Sequence, residues 1–169
     1  MFSEERLINT YRRVYSMPRF VLILKILGTL SVFYVAGVFA YGIGSLLFFG
    51  EHLYALHLSL MTAIPFATVS LVRIFIDAKR PYEAFDIPEL ESLRTERKTG
   101  KSFPSRHVFS AFLIGTLWLQ YSVWFGLAAL FVGVYLAAER VLLGIHFIRD
   151  VAAGAVIGVF SGLVGVLIL

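Results

Sequence analysis

Ser105, Arg106 and His107 close the polar half of the stretch KSFPSRHVFSA, residues 101–111, directly before a long apolar run. If a helix begins there, its first-turn N–H groups lack helical partners and its dipole is positive, so the position suits an anion. Ser105 could cap that helix or offer its hydroxyl to the anion. His107 can give or take a proton near neutrality. A second stretch, RIFIDAKRP, sets Arg73 and Arg80 seven residues apart, nearly two helical turns, and therefore on one face. Two guanidiniums on one face repel unless an anion lies between them, and each offers a planar fork matched to phosphate oxygens. The plainer alternative is a positively charged helix end at the headgroup boundary. Pro81 stops that helix. A third stretch, RVLLGIHFIRD, carries Arg140, His146 and Asp150. In a helix, His146 and Asp150 would touch across four residues. A carboxylate on one imidazole nitrogen fixes the tautomer and makes the other a better nucleophile. A helix end with Asp150 paired to Arg149 is the alternative.

The other titratable groups weigh less. His52 and His57 have no acid or basic cluster beside them and read as interfacial or packed. No metal site is expected. His107 and His146 have one obvious carboxylate between them, and the nearby arginines would repel a cation.

Composition says what must position these residues. Of 169 residues, 59% are hydrophobic and 15% charged, whereas a soluble domain is nearer half apolar and about a quarter charged. Lipid is therefore the expected solvent for much of the surface. With no cysteine, disulfides and thiolate metal sites are excluded. The net charge of +4 suits anionic headgroups, an anionic substrate or topology signals. Nucleic acid is not an expected partner, because the basic residues stand on no soluble scaffold.

Residues 1–19 read as an N-terminal amphipathic interfacial segment, with Phe2, Leu7, Ile8, Tyr11, Val14 and Tyr15 at helical spacing, or else as a frayed tail. Residues 20–169 read as one transmembrane domain with a polar loop at 77–106. A span needs about 20 apolar residues. Residues 20–50 suit one long tilted helix, bent near Gly42 and Gly44. Further spans are expected at 53–72, with Pro65 inside, and at about 107–121, 123–144 and 151–169. A short helix is expected around IPELESLRTERK. Glycines 154, 158, 162 and 165 permit close helix approach. The predicted fold is thus all-α, a polytopic membrane bundle of about five transmembrane helices plus an N-terminal interfacial helix. Counting crossings puts the N-terminus, residues 73–107 and residues 140–150 at one membrane face, where nearly every ionisable group collects. Arg6, Arg12, Arg13 and Arg19 flank the first span and the opposite loops hold no Lys or Arg, so the positive-inside rule places that face in the cytoplasm.

In order and spacing, the three polar stretches resemble the motifs of the type-2 phosphatidic acid phosphatase (PAP2) superfamily, which also includes vanadium haloperoxidases. Its first motif, Lys, six residues, Arg-Pro, is met by Arg73, Arg80 and Pro81. Its second, Pro-Ser-x-His, is met by Pro104, Ser105, Arg106 and His107. Its third, Ser-Arg, five residues, His, three residues, Asp, is met by Glu139, Arg140, His146 and Asp150. Arg73 stands where the family has lysine, which keeps the charge and changes reach and fork geometry. Glu139 stands where it has serine, and is expected to pair outward or with Arg140.

The resemblance runs from about residue 53 to the C-terminus and implies a PAP2/haloperoxidase-like core. It implies a metal-independent, multi-pass lipid phosphatase of the cell membrane, with no cofactor. The expected substrate is a lipid phosphomonoester or pyrophosphate, of the phosphatidic acid, phosphatidylglycerol phosphate or undecaprenyl pyrophosphate class. Its expected partners are that substrate and membrane lipids. By the same resemblance His146 attacks phosphorus to give a phosphohistidine, and Asp150 orients it. His107 protonates the leaving oxygen and then activates water. Arg73, Arg80, Arg140 and Ser105, with the Arg106 amide, hold the phosphoryl oxygens. A catalytically silent lipid-phosphate binder is the alternative, though binding alone needs only cations. A haloperoxidase would need vanadate and normally a soluble body, and a transporter is disfavoured by the lack of an inverted repeat.

Overall fold

Inside a bilayer every backbone N–H and C=O must be bonded within the protein, and a helix does this within a single segment. The structure, a computed structural model, describes residues 4–96 and 99–168, and among these every regular element is helical. In chain order they are α1 (Glu4–Tyr15), α2 (Pro18–Phe48), α3 (His52–Ile76), α4 (Pro81–Ala84), α5 (Glu91–Glu96), α6 (Arg106–Trp118), α7 (Val123–Leu142) and α8 (Ile148–Leu167). A short 3₁₀ turn, Pro88–Leu90, leads into α5. That turn and α5 stand where a short helix was expected. Arg97 and Lys98 of that stretch, and Phe2 of the N-terminal one, lie outside the described residues.

Among the described residues four stretches are long and apolar enough to cross a membrane: Pro18–Phe48, His52–Ala84, Val123–Leu142 and Ile148–Leu167. The run expected at 20–50 folds as one continuous helix, α2, whose 31 residues span Pro18–Phe48, and Pro65 lies inside α3. The third expected span, about 107–121, differs. It folds as α6, only 13 residues, or about 20 Å at 1.5 Å per residue, short of the roughly 30 Å hydrocarbon thickness. Its wall is protein rather than lipid, since Val108, Phe109, Ala111, Leu113 and Leu117 are all fully buried.

The small residues of α8 explain how α6 becomes central. A Cβ on Gly154 would lie 2.7 Å from the Ser105 carbonyl oxygen, and one on Gly158 would lie 2.6 Å from that of Phe109. Only hydrogen fits at those points, so the two backbones approach closely over successive turns. The outer surface is the reverse. Phe33, Phe75, Trp124, Phe131 and Phe160 are exposed around the bundle, a belt that suits lipid and not water.

At one end of the bundle the chain is less apolar. Tyr11 and Val14 of α1 are buried against Tyr82, Phe85, Leu90 and Leu143, while Arg6, Arg12 and Arg13 are exposed. The apolar face of this amphipathic helix is thus covered by the chain's own loops. The same end holds the residues singled out for chemistry.

Candidate active site

The loop 99–105 is tied to the segment that follows α3 by polar bonds along its length. Glu83 accepts from the Gly100 N–H at 2.9 Å, and Asp77 accepts from the Lys101 N–H at 3.1 Å. The Ser102 N–H donates to the Ala78 carbonyl at 2.8 Å. Two guanidiniums complete the attachment. Arg80 Nε donates to the Gly100 carbonyl at 3.0 Å and its Nη1 to the Ile145 carbonyl at 3.3 Å. Arg73, only 5% exposed, donates through Nη1 to the carbonyls of Ser102 (3.3 Å) and Pro104. These arginines therefore brace the loops at the site as well as charging it.

Past Pro104 the chain enters α6. Ser105 stands at its N-cap but makes no side-chain cap bond. Its N–H donates to the Asp150 carbonyl at 2.9 Å, which pins the start of α6 to the first turn of α8. Its hydroxyl is buried with no hydrogen-bond partner among the described residues, so of the two roles expected for Ser105 the cap is not made. His107 follows on the first turn, exposed, inside the electrostatic reach of Arg140, His146, Arg106 and Arg73. Arg106 is exposed, with its guanidinium 5.9 Å from the Phe66 ring centroid.

His146 and Asp150 meet as expected, but not on one helix. Gly144, at φ +68°, turns the chain sharply after α7. A side chain costs strain in that left-handed region, where glycine does not. His146 falls in the resulting loop and Asp150 in the first turn of α8. His146 Nδ1 lies 3.6 Å from Asp150 Oδ2, and the same oxygen accepts from the Phe147 N–H at 3.0 Å. Ser102 stands between them: its Oγ donates to Asp150 Oδ2 and lies 3.2 Å from His146 Nδ1. The expected alternative contact is also present, with Arg149 Nε 3.6 Å from Asp150 Oδ1. Burial pushes the His146 imidazole down to about 4, against the opposing pull of the neighbouring Asp150 carboxylate. It is therefore neutral at pH 7, with a lone pair available.

Arg140 and Glu139 pair at 3.1 Å, Nε to Oε2, with Glu139 only 2% exposed. Glu139 lies against α2, since a Cβ on Gly28 would come within 2.6 Å of its Oε1. Pairing with Arg140 was expected for this departure from the family pattern; its burial between α7 and α2 was not. Among the described residues no three His, Cys, Asp or Glu side chains group so as to hold a metal ion. His52 and His57 belong to the start of α3, the end of that helix remote from Arg73.

His107 and Arg106 also line a cavity of about 520 Å³ that runs between α2, α3, α6 and α7. Its wall includes Val32, Val35, Phe39, Ala63, Ile114 and Leu136. Of its three hydroxyl side chains, Ser59 and Thr62 donate to carbonyls of their own helix at 2.8 Å and so present little polarity to the space, and the third, Ser110, stands on α6 beside His107. The arrangement therefore joins a cationic, histidine-bearing end to an apolar cleft.

Sequence reasoning singled out eight residues, and all eight stand at this end of the bundle. It passed over Ser102, Asp77 and Glu83. Nothing in linear spacing ties Ser102 to a histidine 44 positions away, or tells that carboxylates would hold backbone N–H groups beside a site read as anion-binding.

The PAP2 superfamily model matches residues 54–169, so the chain belongs to that superfamily. No curated protein sequence matches it. Its fold is similar to the crystal structure of Aquifex aeolicus LpxE, with a TM-score of 0.69 and 22% identity over 95% of this chain and 94% of that one. It is similar also to that of a transmembrane PAP2-type phosphatidylglycerolphosphate phosphatase from Bacillus subtilis, with a TM-score of 0.69 and 18% identity over 98% of this chain and 85% of that one.

Proposed function

We propose that this member of the PAP2 superfamily is an integral-membrane lipid phosphatase that works through a phosphohistidine. The observation that carries the reading is the meeting of two histidines and four arginines at one end of the bundle, where His107 and Arg106 also line an apolar cavity. A lipid phosphate has this same division, with a dianionic head and hydrocarbon tails. The head would sit among Arg73, Arg80, Arg106 and Arg140, and a tail would enter the cleft between α2 and α3. The likeness in fold to a phosphatidylglycerolphosphate phosphatase supports the same class.

In the first step the neutral Nε2 of His146 forms a bond to phosphorus as the phosphorus–oxygen bond to the lipid breaks, and His107 supplies the proton that the leaving oxygen takes. Asp150 stabilises the ring as it gains positive charge. In the second step His107 removes a proton from water, the water oxygen bonds to phosphorus, and the phosphorus–nitrogen bond breaks. The guanidiniums stabilise the equatorial oxygens through both steps, so the chemistry needs no metal ion. Phosphatidic acid, phosphatidylglycerol phosphate and undecaprenyl pyrophosphate are the substrates to assay.

Phosphate release from these lipids by detergent-solubilised protein, with EDTA present, is expected. Protein denatured in alkali, where the phosphorus–nitrogen bond survives, should carry phosphohistidine in the wild type and lack it in His146→Ala. Hydrolysis undiminished in that variant would end the reading. By the positive-inside rule the basic flank of α2 favours a cytoplasmic site; Thr99→Cys in intact cells should then resist an impermeant thiol reagent, and rapid labelling would reverse the orientation.

A further inference from the structure

The Ser102 hydroxyl has one proton and two neighbours, Asp150 Oδ2 and His146 Nδ1. An ionised carboxylate only accepts hydrogen bonds. The hydroxyl proton therefore goes to Asp150, and Nδ1 can bond to the oxygen only by donating. Direct contact between ring and carboxylate, at 3.6 Å, is too long to do this instead. Ser102 and Asp150 are fully buried and His146 is 3% exposed, so the hydroxyl is shielded from bulk water.

We propose that Ser102 is a positioning residue that carries the hydrogen-bond chain from Asp150 to His146 and holds the imidazole as its Nδ1–H tautomer, with the Nε2 lone pair presented for attack. This rests on the phosphohistidine reading above and adds to it the group that sets the nucleophile. Ser102 forms no bond to substrate, and no atom of it changes partner covalently. It is itself held from both sides of its peptide, with its N–H on Ala78 and its carbonyl on Arg73. Arg73 thereby acts on His146 through Ser102, at the position where the family has lysine. The positive charge that the ring gains on phosphorylation is stabilised by Asp150 through the same chain.

Nitrogen NMR of protein labelled at histidine tests this directly, with His146 assigned by the resonance missing from His146→Gln. The wild type should show a single tautomer at His146, protonated at Nδ1. Ser102→Ala should show a mixture of tautomers, with kcat lower by about 10- to 100-fold, as for loss of an outer-shell partner, and KM within about twofold. A merely structural role would leave the tautomer alone. A wild-type His146 protonated at Nε2 overturns the proposal, even if Ser102→Ala does not fold. So does a Ser102→Ala protein with unchanged kcat or an unchanged tautomer. Absence of phosphatase activity from the wild type would refute the functional reading instead, while the tautomer would still judge the chain of bonds.

Discussion

His146 is 3% exposed, and its Nδ1 faces a buried hydroxyl and a buried carboxylate. His107 is exposed on the first turn of α6 and lines the apolar cavity, and its ring makes no hydrogen bond among the described residues. The first histidine lies in a loop fastened by backbone and guanidinium contacts. The second rides on a helix start whose neighbours Arg106 and Ser110 open onto the same space. In the proposed chemistry the first must not move, because an attacking lone pair needs direction. The second must meet two partners in turn, a leaving oxygen and then a water. One half of the site is built to hold and the other to admit.

The difference predicts unequal losses. His146→Ala removes the attacking atom, so kcat should fall by about 10,000-fold or more, with no phosphoenzyme after denaturation in alkali. His107→Ala removes a proton donor and acceptor, which is worth about 100- to 10,000-fold. Its loss should depend on the substrate, being smaller for a p-nitrophenyl ester, whose leaving oxygen needs little help. Equal losses for lipid and p-nitrophenyl substrates would show that His107 does not serve the leaving group, and the contrast between the two histidines would collapse.

The open half can be closed without touching the chemistry. Ala63 lines the cavity between α2 and α3, and Ala63→Leu would intrude on any tail placed there. Displacing about two methylene contacts is worth roughly 1.6 kcal/mol, or about tenfold in KM. The effect should be confined to long-chain substrates, with kcat little altered. A similar rise in KM for a short-chain phosphate would mean that the cavity does not take the tail.

The buried half also predicts a pH response. An imidazole held near 4 in the fold and near 6.5 in the unfolded chain is protonated in the unfolded chain first. This group therefore contributes a loss of stability as pH falls from about 6.5 toward 4. By the same shift, activity should not fall between pH 7 and pH 5 on account of His146. An NMR titration placing its midpoint near 6.5 would show that the closed half is open to water.

Much of this was legible in one dimension. Long apolar runs name the spanning helices because lipid leaves the backbone no other solution, and the three polar stretches name the histidines, the aspartate and the arginines. What spacing does not carry is contact between distant segments. Ser102 reaches His146 only because a loop folds back onto the start of α8. Arg73 looks, in sequence, like a phosphate clamp, and its Nη1 proves to be committed to two carbonyls. The third run, expected at about 107–121, is α6 and the turn after it, but hydropathy does not distinguish a helix buried in protein from one buried in lipid.

The smallest predicted effect concerns α1, which precedes the segment matched by the family model. Tyr15 donates its hydroxyl proton to the Leu143 carbonyl at 3.1 Å, and Tyr11 packs on Gly144, where an added Cβ would lie 3.5 Å from its ring. Both contacts fall on the loop that carries His146. If the closed half is held from below by this helix, Tyr15→Phe removes one hydrogen bond worth about 1 kcal/mol and lets the loop drift. The expected result is a two- to fivefold lower kcat, an unchanged KM for long-chain lipid, and faster amide exchange at residues 143–147. The ring itself remains, so packing against the neighbouring aromatic side chains is kept, and a loss of kcat would report on the loop rather than on the core. Unchanged kcat with unchanged exchange would mean that α1 covers the loop without steadying it, and that the rigidity of the His146 half comes wholly from Ser102, Asp150 and the arginines.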